Sequence, residues 1–379
     1  MNNIIYIYMV LVCFIASYNY VKKYSPSRID MLNPYLLISL LFFSILCGVR
    51  YAVGVDYISY YDCYVNSVKF SNNFAHMERG WSYISEYMAK SGFHFSIYFG
   101  MIAGLQYYFV TKAFNKVSKL LPWGVIVFFL MGEFLLFLNV LRQAIVVACF
   151  LYIVMAKPNI KIWKFLLISV LLFFIHKTAI IMIVFLPFIK YKGRLNIKPK
   201  LLSIVYIFCV IFGLKSNVLL GVLSNPFILG IIGGSEYASY INDPTKILGG
   251  TNVQLGLGYA LICIVNILTI LFFKQLTIKF PKYNDCFKWF YIWYVGLCIN
   301  ALTPNSIIVS RLTMFLTIFS IPVYALILRN SVGVKVNKLN ERIIGLFVFC
   351  SMWIIFMFTY ILKPQLTTNW HFFWDYIYI

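Results

Sequence analysis

The run PWGVIVFFLMGEFLLFLNVLRQAIVVACFLYIVMA, residues 122–156, carries one glutamate and one arginine in a stretch that is otherwise almost wholly apolar. A membrane-spanning helix needs about 20 apolar residues, so this run is too long for one crossing and suits two. Both flanks are basic, with Lys112, Lys116 and Lys119 before the run and Lys157, Lys161 and Lys164 after it. Lys and Arg concentrate in cytoplasmic loops, so the chain is expected to leave one side and return to it. The midpoint, with Asn139, Arg142 and Gln143 on adjacent turns, then lies near the external face.

The pattern extends along the whole chain. Of 379 residues, 62% are hydrophobic and 11% charged, more apolar surface than a soluble core absorbs. Apolar segments fall near residues 4–21, 34–49, 93–110, 122–138, 139–156, 163–175, 178–189, 201–214, 254–273, 289–302, 307–328 and 343–362. The expected fold is all-α, a single polytopic membrane domain over residues 1–379 with about 11–13 membrane segments. Two longer connections, 50–92 with short helices and 215–253, are expected outside. The first run has neither a basic leader nor a small-residue cleavage site, so it is expected to stay as a span.

Net charge is +21, and most of the 32 Lys and Arg sit in six short loops that alternate with loops poor in positive charge. That arrangement is topology rather than a nucleic-acid surface, because no continuous basic face or recognition fold accompanies it. The cations left over, Arg50, Arg142, Lys177 and Arg311 among them, fall on the external side or in the outer half of the membrane, together with most of the acids.

Four stretches carry the polar chemistry. In RYAVGVDYISYYDCY (50–64), Gly54 permits a tight turn, Asp56 can cap the following helix, and Tyr57, Tyr60, Tyr61 and Tyr64 share one helical face. That face suits an interfacial aromatic belt. In FLNVLRQAIVVACF (137–150), Arg142 is an intramembrane arginine, either a ligand-binding group or the structural partner of Glu133. In LLFFIHKTAII (171–181), an apolar segment too short for two crossings is expected to form two half-helices or a tilted hairpin with His176, Lys177 and Thr178 at the tip. In TPNSIIVSRLTMF (303–315), Arg311 stands one turn into a span. Arginines gathered at one external cavity suit phosphate or pyrophosphate, since the planar fork donates paired hydrogen bonds and the charges repel without an anion. The nine cysteines show no CxxC spacing, and His76, His94, His176 and His371 form no ligand pattern, so neither metal nor cofactor is expected.

RYAVGVDYISYYDCY, MERGW (77–81), NVLRQAIVVAC (139–149), FFIHKTAI (173–180) and SRLTMF (310–315) occur in the order seen in the EpsG-like group of Wzy-type polysaccharide polymerases, which the chain resembles from about residue 34 to 328. The resemblance implies a metal-independent, GT-C-like glycosyltransferase of the bacterial inner membrane. Such an enzyme joins oligosaccharide repeat units on undecaprenyl pyrophosphate into O-antigen, capsule or exopolysaccharide, with a chain-length regulator protein as a further partner beside membrane lipid. Arg50, Asp56, Arg142, His176 and Arg311 are the positions the resemblance carries over, with Arg50, Arg142 and Arg311 expected to hold pyrophosphate beside Lys177. His176 or Asp56 takes the acceptor proton, His176 being preferred because its ordinary pKa of about 6.5 suits a base at neutral pH. Tyr57, Tyr60, Glu78, Trp81, Asn139 and Gln143 are then the expected substrate contacts, the tyrosine face with Trp81 serving as a surface on which sugar rings stack. Two other functions fit the same composition: a flippase or transporter for lipid-linked oligosaccharide, and a membrane O-acyltransferase acting on polysaccharide.

Overall fold

The computed structural model describes residues 2–68, 74, 77–190, 197–215, 256–278, 286–304, 306–331 and 339–376. The connection 216–253 and His76 therefore lie outside the described residues. Among the described residues the chain is all-α apart from one short strand pair, and the long helices fall on the apolar segments read from sequence. It forms two compact units, Met1–Lys192 with Ile321–Ile379, and Gly193–Ser320.

The first unit contains α1 (Ile5–Tyr24), α2 (Pro34–Val49), α3 (Tyr57–Asn66), α4 (Arg79–Lys90), α5 (Phe95–Ala113), α6 (Leu121–Leu130), α7 (Glu133–Asn139), α8 (Leu141–Ala156), α9 (Ile162–Phe173), α10 (Ile180–Val184) and α11 (Leu186–Lys190). Its core is α5 packed between α2 and α8. The α2–α5 seam is close because small residues line it at four-residue spacing, Ser44 and Gly48 against Gly100 and Gly104. A Cβ on Gly100 would stand 3.0 Å from the Ser44 carbonyl oxygen, and one on Gly48 would strike the Ser96 carbonyl. Across the same seam Ser39 and Tyr107 share a buried 2.7 Å hydrogen bond.

Two described helices, Asn2–Tyr24 and Arg342–Leu362, are long and apolar enough to cross a membrane alone. Residues 118–139 meet that test only as a pair, Ser118–Leu130 and Glu133–Asn139, bent by 62°. The chain turns again at Val140 before α8, so the long apolar run folds as three helices rather than two straight ones. Backbone freed at such a break needs partners at membrane depth. Gln106 of α5 supplies them, its amide donating to the Phe137 carbonyl at 3.3 Å and the Leu141 carbonyl at 3.0 Å.

The end of the unit that carries Arg50 is tied to both chain termini. Arg50–Tyr51 (β1) pairs antiparallel with His371–Phe372 (β2), Arg50 opposite Phe372. Gly54, at φ +100°, donates its amide to the Thr367 carbonyl at 2.9 Å. Tyr6 donates to the Thr368 carbonyl at 2.7 Å, and the Trp370 amide donates to Asn3 Oδ1 at 2.7 Å.

The second unit contains α12 (Pro199–Lys215), α13 (Leu257–Ile278), α14 (Cys286–Leu302) and α15 (Ile307–Thr317). Here α12 packs on α13 and α14, and α14 on α15. Tyr294 donates to the Leu202 carbonyl at 2.8 Å and Phe273 stacks on Phe290 at 4.4 Å. Two further described helices follow, α16 (Ser320–Ser331) and α17 (Leu339–Phe356), the latter within the first unit.

Candidate functional site

Arg142 occupies the first turn of α8, directly after the break that Gln106 stabilises. Its Nε donates to the Tyr60 hydroxyl at 3.0 Å, and its Nη1 donates to Glu78 Oε2 in an ion pair. The sequence offered Glu133 as its structural partner. The structure corrects this, bringing in an acid that is far more distant along the chain.

Glu78 stands just ahead of α4, and its other oxygen, Oε1, accepts the Lys177 backbone amide at 3.0 Å. One carboxylate thus joins the arginine of α8 to the turn between α9 and α10. Burial opposes its charge, but Arg142, His176 and the Lys177 amide outweigh that, so Glu78 is held below the ordinary carboxylate range. Burial pushes the Tyr60 phenol up, against the opposing pull of Arg142.

The turn itself matches the expected tip. The chain leaves α9 at Phe173, passes His176, Lys177 and Thr178, and returns along α9 as α10. Gly80 lets α4 meet it, because a Cβ there would come 2.7 Å from the Phe174 carbonyl oxygen and 2.8 Å from its Cβ. The neighbouring Trp81 amide donates to the same carbonyl at 3.2 Å. His176 Nδ1 accepts the Thr178 amide at 3.2 Å and contacts the Thr178 hydroxyl at 2.9 Å. An Nδ1 that accepts an amide carries no proton, so neutral His176 bears its proton on Nε2.

The remaining candidates divide. Asp56 lies at the start of α3, half-buried and close enough to Tyr60 for its charge to be felt there, and its amide donates to Asn139 Oδ1 at 2.9 Å. Its side chain does not close the helix cap that the sequence suggested. Arg50 is fully buried and donates to the carbonyls of Cys47 at 2.6 Å, Leu138 at 3.2 Å and Val53 at 3.4 Å, with its guanidinium over the rings of Tyr57 and Phe99. These contacts close the end of α2 and hold the end of α7, which is structural work rather than ligand binding. The face expected to meet sugars is core instead: Tyr57 is 0% exposed, Tyr60 6%, Tyr64 2% and Trp81 4%. Gln143 is buried on α8. Arg311 sits half-buried on α15 in the second unit. The sequence did not single out Gln106, whose signal was an amide in the middle of an apolar helix.

Three quoted motifs, MERGW, NVLRQ and FFIHKTAI, therefore meet at Glu78. The model of the EpsG family matches residues 33–378. The chain belongs to the EpsG family. EpsG proteins are polysaccharide polymerases, and with its apolar helices this one is a membrane protein of polysaccharide biosynthesis. No curated protein and no solved structure gave a match.

Proposed function

We propose that this EpsG-family protein is a multi-pass, GT-C-like glycosyltransferase. It polymerises oligosaccharide repeat units carried on undecaprenyl pyrophosphate at the external face of the bacterial inner membrane. The observation that supports this reading is the convergence of Arg142, Lys177 and His176 on Glu78 at one end of the first unit.

A sugar pyrophosphate leaves readily once its developing charge is held by fixed donors. Two of the five Arg142 donors are spent on position, one on Tyr60 and one on Glu78, which leaves three for phosphate oxygens. Exposed Lys177 adds a second cation, which offsets the charges of Glu78 and Asp56. With its proton on Nε2, His176 serves as a further donor to the leaving group. Proton removal from the acceptor hydroxyl then falls to Asp56, because His176 would accept at Nε2 only by giving up the Thr178 amide bond. Arg50, Asn139 and the tyrosines act by holding Arg142 and the break before it.

Purified protein in proteoliposomes, supplied with an undecaprenyl-pyrophosphate oligosaccharide, should lengthen it, as read by gel mobility. Arg142→Lys keeps the charge but loses the fork and the Tyr60 bond, and should lose about 2–4 kcal/mol of transition-state stabilisation. Movement of the unchanged carrier across the bilayer without lengthening would make the protein a flippase and overturn the proposal.

A further inference from the structure

The opposite end of the first unit holds an open cavity of about 700 Å³ that the chemistry above does not use. Five cations line it: Arg28, Lys116, Lys157, Lys161 and Lys164. No carboxylate is among its lining residues, and none of the five forms an ion pair among the described residues. Its walls are fixed by their own bonds. Ile29 donates its amide to Asn115 Oδ1 at 2.7 Å and accepts from Lys112 Nζ at 2.7 Å, while Ser118 donates to the Pro26 carbonyl and Lys190 to that of Ile160. The cavity thus lies between a pinned turn and the end of α8, about 22 Å along that helix from Arg142.

We propose that this cavity binds the phosphate headgroup of an anionic phospholipid from the cytoplasmic leaflet. The positive-inside rule accounts for basic loops, but it does not require five of these residues to face one concave space without a counter-charge. Like charges gathered this way repel one another until an anion enters, and lysine heads serve phosphate as point charges. Lipid fits better than free phosphate because the charged rim continues into apolar surface. Ile153 and Ile168 line the same cavity, and α9, which supplies Lys164, exposes Trp163 (59%), Leu167 (52%) and Leu171 (58%) along its length. A headgroup at the lysines would leave its acyl chains against that face. Binding here goes beyond the polymerase reading and stands or falls apart from it.

The test uses the full-length protein and native mass spectrometry with phosphatidylglycerol and phosphatidylcholine of matched chains. The wild type should retain phosphatidylglycerol over phosphatidylcholine by about tenfold or more, and Lys157→Gln/Lys161→Gln/Lys164→Gln should abolish that preference. All three lysines are exposed, so the core is untouched. Lys161→Gln and Lys164→Gln alone should each reduce the preference, giving a graded series if the triple variant is poorly recovered. Lys22→Gln/Lys23→Gln, at the same end but outside the cavity, should leave it intact. Equal retention of the two lipids by the wild type, or a preference that survives in the triple and single variants, overturns the proposal. Displacement of phosphatidylglycerol by millimolar inorganic phosphate would also overturn it, reassigning the cavity to a free anion.

Discussion

At the scale of single residues, Glu78 bears most of the organisation. Its charge is favoured in the folded protein, so its contribution to stability is complete above the ordinary carboxylate pKa of about 4.3 and fades as pH falls through the depressed folded value. Glu78→Gln leaves Arg142 without its counter-charge and should cost about 3 kcal/mol near neutral pH. The gap in thermal stability between wild type and variant should close as pH drops from about 7 to 3, since only the wild type loses a carboxylate there. A gap that stays constant over that range would remove the ion pair from the stability of the fold. His176 gives a separate prediction. Glutamine can place an amide donor near the position of Nε2, so polymer formation by His176→Gln should exceed that of His176→Ala, and Asp56→Asn should lose it altogether. Equal loss in both His176 variants, with activity kept in Asp56→Asn, would return the role of base to the histidine.

At the scale of elements, the site depends on how closely α4 approaches the tip between α9 and α10. Gly80→Ala puts a methyl group against the Phe174 backbone, which cannot yield as a flexible side-chain end can, so the Trp81–Phe174 bond and the Lys177–Glu78 bond should both loosen. The expected result is a loss of polymer yield larger than the loss of carrier binding, because the variant shifts Lys177 and His176 at the tip and spares Arg142. The measurement is carrier affinity alongside product length, and unchanged product length would show that the close approach is incidental. This contact also marks where sequence reading stops. Apolar runs and basic loops placed the helices, because burial in lipid imposes a length and a composition that can be counted. The His-Lys-Thr tip was legible for the same reason, as polar residues in a segment too short to cross twice. The pairing of Glu78 with Arg142 was not, since nothing local distinguishes it from the nearer Glu133. The tyrosine face was read outward because residues at i, i+3, i+4 and i+7 show only that a face exists, and α5 turned it into core. Arg50 stands out in the sequence as a cation that the basic loops do not explain, but its partners are backbone carbonyls, which carry no sequence signature.

At the scale of the whole molecule, the question is which end of the first unit faces which side of the membrane. The β1–β2 pair, the Tyr6–Thr368 bond and the Trp370–Asn3 bond gather the Arg50 stretch and both termini at one end. The lysine-rich turns at 22–28, 112–119 and 157–164 gather at the other. Since α1 runs from the first group to the second, the two ends stand about 30 Å apart along that helix, enough to span a bilayer core. The proposed function, read with the positive-inside rule, expects the basic end in the cytoplasm and the Arg142 cluster outside, where a polymer destined for the cell surface would be assembled. Asn66 at the end of α3 and Lys23 at the end of α1 are both exposed and uninvolved in the site, which makes them suitable reporters. In a background with the nine native cysteines replaced, Asn66→Cys should react with a membrane-impermeant maleimide in intact cells, and Lys23→Cys only after permeabilisation. The reverse pattern would put the Arg142 cluster in the cytoplasm, where a lipid-linked sugar already carried across the membrane could not reach it. Equal labelling of both in intact cells would mean that the two ends are not separated by the membrane at all.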